Sequence, residues 1–233
     1  MAEIVLVVVG AALLNVYAAA LVLLRGPLFH TRVYRPMVLN IGLSLAPALI
    51  AVATIVVLLV VATMSPQPWL VWLVAILGGI AWLLALPNSA YLITELNLSH
   101  RREGESVPLW YDIVLVLSLA MSGVINSLVS VVLVQAAVVL IALPNDDSPL
   151  EGPLVWVSAA VLMTLTGFGI YLGRHLRFNS WDVVRPHRMV AKTARHFSQP
   201  GTVGTAAGFT LVHAIFLMCM YLVVVAPAIG LLG

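Results

Sequence analysis

Charge is scarce in this chain: 9% of its 233 residues are Asp, Glu, Lys or Arg, while 62% are hydrophobic. Soluble domains carry about 25% charged residues, and a water-soluble protein of this composition would have to present an apolar exterior to water. A bilayer removes that conflict. Cysteine is nearly missing too. Cys219 is the single one and lies in an apolar run, which excludes an intramolecular disulfide and a thiolate metal cluster. The chain also lacks His-x-x-x-His, Glu-x-x-His, Gly-x-Ser-x-Gly and Walker patterns, so nothing supports a zinc hydrolase, a serine hydrolase or an ATPase. No repeat of 20 to 50 residues and no inverted pair of halves is present, which removes one sequence argument for a transporter.

What is present is a set of six long apolar runs, each near the roughly 20 residues that a spanning helix needs. They predict helices over about 4–24, 37–63, 69–86, 110–143, 153–173 and 206–231. Gly26-Pro27 is expected to end the first, Pro47 to kink the second, and Pro153 to open the fifth. The first run invites a signal-peptide reading at Ala18-Ala19-Ala20. Its n-region carries Glu3 and no Lys or Arg, its apolar stretch is too long, and Arg25 follows it, so it reads as a retained helix.

All eleven Lys and Arg residues fall in three segments that follow the first, third and fifth runs. Cytoplasmic loops keep Lys and Arg while translocated loops are depleted of them, so the pattern predicts both termini outside. The last basic segment contains a surface helix opened by Pro186. Met189, Val190, Thr193, Ala194 and Phe197 share its apolar face, and Arg188, Lys192 and Arg195 share the other. That face fits membrane lipids with anionic headgroups; its apolar companion argues against nucleic acid. The expected fold is therefore an all-α integral membrane bundle of six transmembrane helices with one cytoplasmic amphipathic helix.

Three polar motifs sit at the ends of these helices on the predicted cytoplasmic face. They are Leu86-Pro87-Asn88-Ser89-Ala90-Tyr91-Leu92-Ile93-Thr94-Glu95, then Trp110-Tyr111-Asp112, and then Gly167 to Asp182, whose core is Gly169-Ile170-Tyr171-Leu172-Gly173-Arg174-His175-Leu176-Arg177-Phe178-Asn179-Ser180-Trp181-Asp182. In these residues, from about Trp82 to Asp182, the chain resembles the bacterial multi-pass membrane protein family known as domain of unknown function 1361. The resemblance implies a bacterial plasma (inner) membrane location and brings no activity or cofactor with it. The family pattern favours Asp after the Thr and a His shortly beyond, where this chain has Glu95 and the more distant His100.

The chemistry of the motifs nominates ligand-binding candidates. Asp112 opens a helix whose N-terminus favours a carboxylate, and it is expected beside Arg174 or Arg177. Those two arginines lie three apart at a helix C-terminus, so their guanidinium forks could grip a phosphate or carboxylate. Glu95, Asp182 and Asn179 would add acceptors, with Asn88, Tyr91 and Tyr111 alongside. The competing reading is architectural: aromatic belts, snorkelling arginines and capping residues explain each residue singly. His213 is ionisable and inside a helix, which nominates it by default; a neutral ring bonded to Asn40, Ser44 or a carbonyl is its structural alternative. Asn15 and Asn126 near mid-membrane read as glue between helices, and Gly167, Gly169 and Gly173 as close helix packing.

Three function classes follow. The first is a non-catalytic protein that binds or transports a small anionic molecule or lipid headgroup through the polar cluster. The second is an interfacial enzyme on a lipid or lipid-linked substrate, with Asp112, Glu95 or Asp182 as bases or metal ligands. The third is an assembly partner, with self-association left open. A continuous polar path favours the first, a closed pocket of adjacent carboxylates the second, and a dry bundle the third.

Overall fold

The computed structural model describes residues 2–31, 34–64, 67–97, 105–142, 150, 152–176 and 186–230. Among the described residues the regular elements are all helical: α1 (Ala2–Phe29), α2 (Arg35–Met64), α3 (Pro68–Ala90), a 3-10 helix (Tyr91–Asn97), α4 (Leu109–Ala142), α5 (Pro153–His175), α6 (Pro186–Phe197) and α7 (Thr202–Gly230). Six of them, all but α6 and the 3-10 helix, are long and apolar enough to cross a membrane. This is a multi-pass membrane bundle, as composition requires.

The six helices do not share burial equally. In α4, 67% of the apolar window is buried, against 11% in each of α1, α2 and α3, 39% in α5 and 22% in α7. Helix α4 is thus the axis around which the others are arranged. Helices α1, α2 and α3 pack on it, α2 pairs with α3, and α5 pairs with α7. Leu86, Leu128, Val131, Met163, Ile170, Leu217 and Tyr221 form the larger core, while Ala18, Val22, Met37, Leu92, Leu115 and Leu119 form a second among α1, α2, α4 and the 3-10 helix.

Close approach depends on missing side chains. A Cβ on Gly123 of α4 would lie 2.6 Å from the Ser89 carbonyl oxygen and 2.8 Å from Leu92 Cβ. A Cβ on Gly169 would meet the Pro87 ring, one on Gly167 would lie 2.9 Å from the Thr210 oxygen, and one on Gly173 would lie 3.1 Å from the Tyr91 ring. The glycines of α5 are therefore packing residues, as their spacing indicated.

Several helix ends differ from expectation. Helix α1 continues through Gly26-Pro27 to Phe29 and stops at His30, whose φ is 55°. Pro27 falls in the last turn, so its ring removes one ladder bond without a following helix to break, and Thr31 N–H still reaches the Gly26 carbonyl at 3.2 Å. Helix α3 likewise passes Pro87 and ends at Ala90, because Gly169 of α5 makes room for the ring. The following residues, expected as an interfacial element, are a 3-10 helix wedged among α2, α3, α4 and α5, with Leu92 fully buried. Helix α7 starts at Thr202 because Gly201, at φ 81°, completes the turn from α6 there. Helix α2 runs through a buried Pro47. Pro153 opens α5 as anticipated.

Candidate functional site

One end of the bundle gathers the C-termini of α1, α3 and α5 and the N-termini of α2, α4 and α7. Contacts between them establish this: Arg25 with Asp112, Asn40 with Glu95, Tyr91 with Gly173, and Tyr171 with His196. The described Arg and Lys residues lie in these same segments, so it is the basic end. Its polar chemistry begins with Asp112 in the first turn of α4. That carboxylate is fully buried, and a helix N-terminus favours it electrostatically.

The cation that meets Asp112 is Arg25. Its Nε donates to Asp112 Oδ1 at 2.8 Å and its Nη2 to Oδ2 at 3.3 Å, a two-pronged contact across 87 residues of sequence. The same Nη2 donates to Glu105 Oε2 at 2.6 Å, and Nη1 reaches Thr31 Oγ1 at 3.3 Å. Arg25 is 4% exposed. One expected partner, Arg174, lies exposed in the last turn of α5 and makes no ion pair with Asp112. The other, Arg177, lies outside the described residues, and Arg25 escapes the sequence reading because that reading ends the first helix at Gly26-Pro27. With α1 extended to Phe29, Arg25 becomes part of a packed helix and turns inward. Tyr111 reinforces this junction: its hydroxyl donates to the Leu21 carbonyl at 2.8 Å, and its ring meets Phe29 edge-on at 4.9 Å.

A second acid lies in the 3-10 helix. Glu95 is 7% exposed, and its Oε1 accepts a bond from Asn40 Nδ2 of α2 at 2.8 Å. Tyr91 opens the same short helix and packs against Gly173, while Asn88 is half-buried near the end of α3. Arg177, Asn179 and Asp182 lie outside the described residues.

From this end a line of buried polar side chains recurs along α4, turned to different neighbouring helices: Asp112, Ser118, Ser122, Asn126, Ser127, Ser130 and Gln135. At about 1.5 Å of rise per residue the line extends roughly 34 Å, comparable with a hydrocarbon core of about 30 Å. Asn126 and Asn15 exchange two amide bonds of 2.8 Å, and Asn126 also donates to Ser44 Oγ at 3.0 Å. The glue reading of both asparagines holds. Ser130 accepts from the Trp82 indole at 2.8 Å. Gln135 donates to the Val155 carbonyl and to Ser158, and accepts from the Tyr221 hydroxyl at 2.8 Å. Ser89 Oγ and Ser127 Oγ are buried with no hydrogen-bond partner among the described residues.

The family of proteins of unknown function called DUF1361 matches this chain over residues 39–223. That span covers most of α2, all of α3 to α6 and most of α7. The chain belongs to this family. No curated protein and no solved structure matches it. In this DUF1361 member, Arg25 falls outside the matched span, whereas its partners Glu105 and Asp112 fall within it.

The remaining candidates are dispersed. His213 of α7 is half-buried, with Nδ1 2.9 Å from the Phe209 carbonyl and its ring stacked on Phe209 at 3.9 Å. That is the carbonyl-bonded alternative; Asn40 and Ser44 are engaged elsewhere. Helix α6 rests on the bundle through Phe197 and through His196, whose Nε2 lies 2.7 Å from the Tyr171 hydroxyl. Lys192 and Arg195 are exposed on it. Among the described residues, no three His, Cys, Asp or Glu groups cluster closely enough to hold a metal.

Three site residues were missed from sequence: Arg25, Glu105 and, in its actual role, Asn40. The signal for Arg25 was available. A carboxylate at the start of the most polar apolar run needs a cation, and Arg25 directly follows the first run.

Proposed function

We propose that this protein is a non-catalytic membrane carrier that binds a small anionic molecule at its basic end and passes it along α4. The observation that carries the reading is the buried polar line from Asp112 to Gln135 along the bundle's axis. In lipid, a polar side chain inside a bundle is costly unless it is paired or lines a path. Most of this line is paired, and the buried hydroxyls of Ser89 and Ser127 have no partner among the described residues. Exposed Arg35, Arg174, Lys192 and Arg195 around the entrance would concentrate anions there. An enzyme reading has less support, since Asp112 and Glu105 both pair with Arg25.

In this reading the basic end faces the cytoplasm of a bacterial cell, both termini lie outside, and the protein resides in the inner membrane. Helix α6 would lie along the headgroups, with Lys192 and Arg195 contacting anionic lipid.

Thiol accessibility tests the path without knowledge of the cargo. In a Cys219→Ser background, Ser118→Cys, Ser122→Cys and Ser130→Cys are treated in intact vesicles with a small, membrane-impermeant, hydrophilic thiol reagent. An aqueous path predicts modification at all three positions. Complete protection at Ser122 and Ser130 in folded protein would leave a dry structural seam and refute the carrier.

A further inference from the structure

Three carboxylates are described in the interior and at the basic end: Glu95, Glu105 and Asp112. Two of them end on the Arg25 guanidinium. Glu95 is the exception. It is 93% buried (7% exposed), its described bond is the one from the Asn40 amide, and among the described residues no cationic side chain lies within ion-pair distance. A buried carboxylate facing only a neutral amide calls for a positive charge from somewhere.

The surroundings supply oxygen ligands. Helices α2 and α4 run in the same direction, both starting at the basic end, and touch where Asn126 donates to Ser44 Oγ at 3.0 Å. One turn back along each helix brings Asn40 and Ser122 to the same level, on the same faces. Ser122 is fully buried, and its hydroxyl donates to the Leu119 carbonyl at 2.8 Å, which leaves its oxygen lone pairs available. The Asn40 amide, turned about its terminal bond, offers Oδ1 where it now offers Nδ2. Carboxylate, amide and hydroxyl oxygens are hard donors, suited to alkali and alkaline-earth ions and not to softer transition metals. A single carboxylate matches a single positive charge.

We infer that Glu95, Asn40 and Ser122 form a binding site for a small monovalent alkali cation. The inference deepens the carrier reading and rests on it for its purpose. An anion entering a low-dielectric bundle needs a companion charge, and a cation at Glu95 would sit beside the buried polar series of α4, at the level of Ser122.

The test is the melting temperature of purified protein in Na+ and in N-methylglucamine at equal ionic strength and fixed pH. At Na+ ten times its dissociation constant, the expected increase is about 3 to 6 °C. Glu95→Gln keeps the shape and an oxygen for Asn40 and removes the uncompensated charge, so in N-methylglucamine it should melt no lower than the parent, and it should lose the Na+ increment. Ser122→Ala should reduce the increment and serves as the second variant if Glu95→Gln does not fold. Equal melting of the parent in both salts would overturn the site, as would an undiminished increment in Glu95→Gln or Ser122→Ala. Stabilisation by acid alone, without a Na+ effect, would overturn it too, by assigning the companion charge to a proton. Because melting does not depend on a water path, this result and the thiol result stand or fall separately.

Discussion

Replacing Arg25 by Met offers the sharpest test of how the basic end is held together. The guanidinium makes contacts of 2.8 and 3.3 Å to Asp112 and 2.6 Å to Glu105, and its side chain is 5% exposed beside an Asp112 that is fully buried. Met preserves most of the apolar stem and removes the charge. Taking one partner from a buried pair costs about 3–5 kcal/mol, because the other is left with a desolvated charge. At about 2–4 °C per kcal/mol for a chain of this size, the melting temperature should fall by roughly 6–20 °C. Tryptophan fluorescence during heating in detergent reads this directly. The control is the double variant Arg25→Met with Asp112→Leu, in which both charges are gone and the space is filled. Glu105, 17% exposed, can turn to water. The double variant should recover most of the loss, since apolar replacement of a whole buried pair is often neutral. Melting of Arg25→Met within about 2 °C of the parent, an effect of the surface-pair size, would refute the reasoning.

Other outcomes follow from the same structure. Gly123→Val should destabilise by about 1–3 kcal/mol, the usual cost of overpacking, because its Cβ would press on the Ser89 carbonyl; unchanged melting would show that α3 and α4 are not in contact there. Asn126→Leu should cost about 0.6–1.7 kcal/mol, the range for interhelical hydrogen bonds in membranes, measured by unfolding in mixed detergent. Arg174→Lys should leave stability within about 0.5 kcal/mol, since Arg174 is exposed and Lys also complements a helix C-terminus; a larger loss would point to a partner beyond the described residues. Single cysteines at Gln67 and Arg195, in a Cys219→Ser background, should be labelled from opposite sides of sealed vesicles, and labelling from one side would contradict six crossings.

The spans were legible because membrane helices are written in composition: an apolar run of sufficient length has few other places to go. Local packing was legible for a related reason. Asn15 and Asn126 had few partners in lipid beyond other polar side chains and the backbone, and Gly169 and Gly173 lie four apart on the face of α5 turned to Pro87 and Tyr91, with Gly167 on another face against α7. The pairing of Asp112 was not legible. It depends on where α1 stops, and Pro27 marks a helix end only when the helix has somewhere to continue. The Glu95–Asn40 contact was hidden for a different reason. The 3-10 helix that carries Glu95 has no periodic pattern, and its position is fixed by the four helices around it.

The central place of α4 bears on how the chain is made. By the time the ribosome reaches Leu109, α1, α2 and α3 have already been synthesised, and each is apolar enough to enter the bilayer unaided. Helix α4 brings Asp112, four serines, an asparagine and a glutamine into lipid, side chains that a solitary helix could not hide. Its entry is eased if Arg25 and Asn15 are already waiting on α1. The chain order therefore places the hosts before the guest, and a truncation that removes α1 should strand α4 at the insertion step and leave it to the quality-control proteases.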